Sequence, residues 1–142
     1  MSKIKRNLEE IREGFSILSG QDRLIYLVDL GKKIDLIDEN DEVNNNKIHA
    51  CTSQTWVKIF INNGIVTLKA NSESTMVKGL LKIIQTGFNG SEQKDILNFI
   101  DEFIPQSPWS EYSIDDKVFI ASGIIKKFIK DMNIKYKIPK DY

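Results

Sequence analysis

The sequence predicts an α+β domain in which an antiparallel sheet of about three strands packs against several helices, and three observations carry that prediction. Apolar residues recur at helical spacing towards both ends of the chain. Between those stretches, two β-rich runs flank Asn63-Gly64, a strong short-range hairpin signal. The chain has 142 residues, 41% of them apolar and 28% charged, which suits one globular domain of ordinary size.

Leu8, Ile11, Phe15 and Leu18 repeat at spacings of three and four, so a first helix ends near Ser19-Gly20. A second helix is expected from Asp22 to Leu30, burying Leu24, Leu27 and Val28, with Gly31 as the left-handed cap residue. Residues 35–47 lose periodicity, and Asp38, Glu39, Asp41 and Glu42 run into Asn44, Asn45 and Asn46, the composition of a solvated loop.

The strongest β signal runs from Gln54 to Asn62 and resumes from Ile65 to Ala70. With Asn63 and Gly64 as a two-residue turn, Ile61 faces Val66, Ile59 faces Leu68 and Val57 faces Ala70. All six share one face, the register that burial selects. The opposite face sets Lys58 against Lys69, tolerable only where water reaches the pair, with Trp56 near its far end. A third strand is expected from Lys47 to Ala50.

Ser72 to Ser74 offer caps for a third helix with the apolar stripe Met76, Val77, Leu80, Leu81 and Ile84. Gly79 lies inside that stripe at a cost of about 1 kcal/mol against alanine, which predicts a close approach by another element. Gly87 and Gly90 bracket a break. Ser91 then caps a helix burying Ile96, Leu97, Ile100 and Phe103, and Pro105 ends it. A connector over 105–112 holds Trp109, and a last helix carries Val118, Ala121, Ile125, Phe128 and Met132. The expected organisation is a single domain over 1–134 and a basic, frayed tail over 135–142.

Composition removes several functions. Twenty basic residues balance twenty acidic ones, so net charge points to neither nucleic acid nor a membrane surface as partner. The balance is segregated, since residues 126–142 hold six lysines against two aspartates. One cysteine, Cys51, and one histidine, His49, cannot form an intramolecular disulfide, a Cys-rich zinc site or a thiolate-held iron–sulfur cluster, so no metal or cofactor is expected. Lys3, Lys5, Arg6 and Arg12 alternate with Glu9, Glu10 and Glu13, which is neither a signal nor a transit peptide. A reducing cytoplasm is the expected setting.

Two readings of Cys51 stand. Lone cysteines commonly serve as small buried hydrophobes, yet the neighbours Thr52, Ser53 and Gln54 are polar, and reactive groups concentrate on loops of this kind. His49 either activates the thiol as a base or is simply solvated. Asp22, Arg23 and Asp29 share one short helix, where a solvent-facing ion pair is the ordinary role.

Three stretches carry a resemblance. Ile48-His49-Ala50-Cys51-Thr52-Ser53-Gln54-Thr55-Trp56 aligns with a family pattern Val-x-Gly-Cys-x-Ser-x-Val-Trp. Ser72-Glu73-Ser74-Thr75-Met76-Val77-Lys78-Gly79-Leu80 follows Ser-Asp-Ala-x-Ile-Val-Lys-Gly-Leu, and Asp22-Arg23-Leu24-Ile25-Tyr26-Leu27-Val28-Asp29-Leu30-Gly31 follows Asp-Arg-x-x-Tyr-Leu-x-x-Leu-Gly. In order and spacing the chain resembles the SufE family of sulfur acceptors. It departs from the family at Ala50, where glycine is usual, and at Ile120, which occupies an arginine position with Lys117 one turn away.

The resemblance implies an accessory protein, not a stand-alone enzyme. Its partners would be a pyridoxal-phosphate cysteine desulfurase of the SufS kind and an iron–sulfur scaffold of the SufBCD kind. Cys51 would accept sulfur as a persulfide, and His49, Ser53, Gln54, Trp56, Arg23, Asp29, Lys78 and Gly79 would support the loop or the partner contact. One thiol suffices for such a relay, because sulfur leaves by the atom on which it arrived. The alternatives are a non-catalytic module that binds the desulfurase, and a small thiol-dependent enzyme using Cys51 with His49.

Overall fold

The computed structural model describes residues 2–48 and 53–103, the last four of these by backbone alone. Helix α1 spans Lys3–Ser16, with the side-chain oxygen of Ser2 accepting from Lys5 N at 3.2 Å, and it buries Ile4, Leu8, Ile11 and Phe15. Leu18, expected to close the stripe, lies past the helix end and is half-buried. A tight turn, in which Leu18 N donates to Phe15 O at 3.0 Å, carries the chain off the helix axis first.

Helix α2, Gln21–Gly31, buries Leu27 and Gly31, while Leu24 and Val28 are half-buried. The expectation of a left-handed Gly31 is corrected, for the described glycines with positive φ are Gly20, Gly64 and Gly90. Gly31 is glycine for a different reason. A Cβ there would lie 2.8 Å from Gly79 N and 2.9 Å from Lys78 Cβ.

Strands β1 (Thr55–Asn62) and β2 (Ile65–Ser72) form the antiparallel hairpin, with φ of 52° at Asn63 and 78° at Gly64, as a type I′ turn requires. The register places Ile61 opposite Val66, Ile59 opposite Leu68 and Val57 opposite Ala70, as expected. Val57, Val66, Leu68 and Ala70 are buried and Ile59 packs against them, but Ile61 overhangs the core and is 46% exposed. Lys47 pairs with Trp56 through a single antiparallel bridge, so the expected third strand is reduced to one bridge among the described residues.

Residues 35–47 are more than a solvated loop. Leu36 bridges Ala70, Ile37 is buried, and short 3-10 turns form at Glu39–Asp41 and Asn44–Asn46. The segment then folds onto the polar face of the hairpin. Asp41 Oδ1 lies 3.1 Å from Lys58 Nζ, and Glu42 Oε1 accepts from Asn71 Nδ2 at 2.7 Å. The Lys58–Lys69 pair is therefore relieved by an acidic neighbour as well as by water.

Helix α3, Thr75–Phe88, is capped by Ser74, whose Oγ accepts from Val77 N at 3.3 Å, and packs against α2, β2 and α1. Gly87, expected to bracket a break, sits inside α3 against Leu8; the break falls at Asn89-Gly90, where φ of Gly90 is 83°. Helix α4, Gln93–Phe103, buries Ile96 and Phe99, the latter edge-on to Phe88 at 5.8 Å, and Leu97 is half-buried. Ser91 is not its cap. The backbone of Ser91 accepts from Val66 N at 2.9 Å, and its Oγ is buried without a partner among the described residues.

Gln85, 2% exposed, ties three parts together: its Nε2 donates to Asp35 O at 2.9 Å and to Leu68 O at 3.0 Å, and its Oε1 accepts from Asp35 N at 3.0 Å. Gln85→Leu keeps the side chain's bulk and strands Asp35 N, whereas Asp35 O keeps its bond from Ala70 N and Leu68 O its bond from Asn89 Nδ2. Chemical denaturation should show a loss of about 1–3 kcal/mol, the cost of one unsatisfied group. An unchanged midpoint would mean that water replaces the amide.

His49, Ala50, Cys51 and Thr52 lie outside the described residues, as do the connector with Trp109, the helix expected over Val118–Met132 with Lys117 and Ile120, and the tail over 135–142.

Candidate functional site

Both anchor points of the segment 49–52 are described, and both are fastened. Before it, Ile48 N donates to Thr55 O at 2.8 Å and Lys47 pairs with Trp56. After it, the Ser53 carbonyl accepts from Thr55 Oγ1 at 3.1 Å, and Gln54 is held twice by Glu73. Glu73 N donates to Gln54 O at 2.9 Å, and Gln54 Nε2 donates to Glu73 Oε1 at 3.2 Å. Ile48 and Ser53, the described residues on either side of those four, lie at the same end of the hairpin.

That end is also where α3 begins. Thr55 and Ser72, 0% and 2% exposed, share a hydroxyl contact of 2.9 Å, and Ser72 Oγ accepts from Ser74 N at 3.2 Å. Buried hydroxyls must be paired, so this contact fixes the helix start against the strand ends. The first turn of α3 carries no acidic residue, and the nearest carboxylate at the positive end of the helix dipole is that of Glu73, one residue before the cap.

The other expected support residues divide. Ser53 and Gln54 belong to the anchor, and Trp56 is half-buried on the polar face opposite Asn71. Gly79 marks the crossing with α2: a Cβ there would overlap the Leu27 carbonyl oxygen and lie 2.7 Å from Leu27 Cγ. Lys78 is half-buried, its Cβ beneath Gly31. Arg23 Nε donates to Leu18 O at 2.7 Å, and Asp29 pairs with Lys32 at 3.3 Å. Arg23 ties α2 to the turn after α1 and Asp29 makes a local pair at the end of α2; neither bonds to residues 53–56. Asp29 thus makes a solvent-facing ion pair, the ordinary role expected of such residues.

Sequence reasoning marks three of the anchor residues, Thr55, Ser72 and Glu73, only as a strand residue or as helix caps. Register is the signal that finds them, because continuing the pairing outward from Asn63-Gly64 sets Thr55 against Ser72 and Gln54 against Glu73. Among the described residues no group of His, Cys, Asp and Glu could hold a metal ion. No described helix is long and apolar enough to cross a membrane.

Fold and site together define a small α+β domain in which the residues flanking a short polar segment are fastened where the hairpin ends and α3 begins. The Fe-S metabolism associated SufE domain matches residues 9–108, well over half of the chain, and the chain belongs to that family. The solution structure of a hypothetical protein from Thermus thermophilus has a similar fold, with a TM-score of 0.56 and 16% identity over 89% of this chain and 95% of that chain. At that identity the likeness is one of fold.

Proposed function

We propose that this protein accepts sulfur from a pyridoxal-phosphate cysteine desulfurase as a persulfide on Cys51 and delivers it to an iron–sulfur assembly scaffold. The supporting observation is the fastening of the residues that flank the chain's one thiol in sequence: the strand pairing at Ile48–Thr55 and the Gln54–Glu73 bonds fix Ile48 and Gln54 at the end of the hairpin where α3 begins. A helix N-terminus favours negative charge, which suits a thiolate and a deprotonated persulfide alike.

The transfer is a thiol exchange without net redox change. Cys51 thiolate attacks the outer sulfur of the desulfurase persulfide, one S–S bond forms as the donor's breaks, and the donor cysteine leaves as thiolate. Passing the sulfur onward repeats the exchange with Cys51 as leaving group. A second thiol in the chain would divert the persulfide into a disulfide, and the sequence has none. Such chemistry belongs in a reducing cytoplasm.

The test is to incubate the protein with a cysteine desulfurase of the SufS kind and cysteine, then to weigh it intact. One added sulfur atom on the peptide holding Cys51, with faster desulfurase turnover, is the expected outcome. Faster turnover with no adduct would favour the desulfurase-binding module instead. Absence of both effects would overturn the proposal.

A further inference from the structure

The chain contains two Asn-Gly pairs, Asn63-Gly64 at the tip of the hairpin and Asn89-Gly90 after α3. An asparagine amide is at its most labile before glycine, which has no side chain to shield its backbone nitrogen from the neighbouring amide carbon. The two pairs are also neighbours in space. Gly64 O accepts from Gln93 N at 2.8 Å, and Val66 O accepts from Gly90 N at 2.9 Å, so the difference between the pairs lies in how each is bonded.

At Asn89 the groups that could react are all engaged. Its Oδ1 accepts from Leu68 N at 2.8 Å, its Nδ2 donates to Leu68 O at 3.2 Å, and Gly90 N, the adjacent nucleophile, donates to Val66 O. Both ends of the amide are thus held on β2, and the carbon between them cannot swing onto Gly90 N. At Asn63 these restraints are missing. Asn63 and Gly64 are exposed, and among the described residues no hydrogen bond reaches the Asn63 amide or Gly64 N. The turn type explains the free nitrogen: with Asn62 and Ile65 as the closing pair, the N–H of Gly64 lies outside the bonds that close the hairpin.

We propose that Asn63 is a site of spontaneous covalent modification, deamidation through a cyclic imide, and that Asn89 is protected from the same reaction. Gly64 N gives up its proton and attacks Asn63 Cγ; the new N–C bond closes the imide as the Cγ–Nδ2 bond breaks and the side-chain nitrogen leaves as ammonia. Water then opens the imide at either carbonyl, which leaves aspartate or isoaspartate at position 63. No electrons are transferred, and water is the one co-reactant. Either product adds a negative charge to a chain whose formal net charge is zero. Isoaspartate also lengthens the main chain by a methylene inside a two-residue turn, so the Asn62–Ile65 closure no longer has its loop length. Sulfur acceptance on Cys51 plays no part in the reaction.

The test is a time course of the folded, full-length chain in warm, mildly alkaline buffer, followed by peptide mapping in a mass spectrometer. The peptide holding Asn63 should gain the mass difference between an amide and an acid about tenfold or more faster than the peptide holding Asn89, whose reaction must wait for a local opening. In concentrated urea the two should react at similar rates, because each then differs from the other only in residues beyond its glycine. Asn63→Gly keeps a residue suited to positive φ in the turn and should leave the folded chain's mass unchanged over the same period. An Asn63 that stays intact when folded while the urea-unfolded chain reacts, an Asn89 that keeps pace with it in the folded chain, or a mass gain that persists in Asn63→Gly would each overturn the proposal.

Discussion

Cys51→Ser should abolish sulfur acceptance and leave the domain folded. Serine nearly matches cysteine in size, but its oxygen is neither ionised near neutral pH nor able to carry a sulfane sulfur, so the exchange has no nucleophile. The described bonds that hold the segment, Ile48 to Thr55, Gln54 to Glu73 and Thr55 to Ser72, do not involve residue 51. Intact mass after incubation with a desulfurase and cysteine should show one added sulfur on the native chain and none on the variant. Their melting curves should superimpose. A variant that fails to fold would make Cys51 a packing residue, and a native chain that gains no sulfur would remove the acceptor role itself.

Gly79→Ala should be among the most damaging single-methyl additions in the fold. Alanine in a helix interior is ordinarily favoured over glycine by about 1 kcal/mol. Here the new Cβ would overlap the Leu27 carbonyl oxygen and sit 2.7 Å from both Leu27 Cγ and Leu27 Cδ1. Backbone cannot step aside as a side-chain end can, so α2 must move off α3, and overpacking of this kind costs about 1–3 kcal/mol and sometimes more. The clash outweighs the propensity gain. Urea denaturation should show a net loss of about 2 kcal/mol or more. A stabilised Gly79→Ala would mean that α2 has room to shift, contrary to the paired contact at Gly31, whose own Cβ would fall 2.8 Å from Gly79 N.

Local signals in the chain carry the fold a long way, and the reasons are physical. Asn63-Gly64 admits positive φ at two consecutive residues, so turn, register and buried face follow together. The α1 and α3 stripes are legible because burial on one side of a helix imposes its period on the sequence. Boundaries are less so. Leu18 has the right spacing but lies past the helix end, and Phe99 is buried where the period points to Leu97. Residues 35–47 read as a solvated loop because their order depends on partners distant in sequence, Gln85, Ala70 and Lys58, which no local period reports.

For the candidate site, residue types and spacing alone marked the segment around Cys51, excluded metal and disulfide chemistry for one thiol, and carried the family resemblance. Tertiary structure decided what holds that segment. Thr55, Ser72 and Glu73 became anchors because the hairpin register and the start of α3 bring them together, while Arg23 bonds to the turn after α1 and Asp29 to Lys32. Chemistry that resides in a single side chain can be read from sequence. The bonds that position it run between residues separated by a turn or by a whole element, and only folding sets those distances.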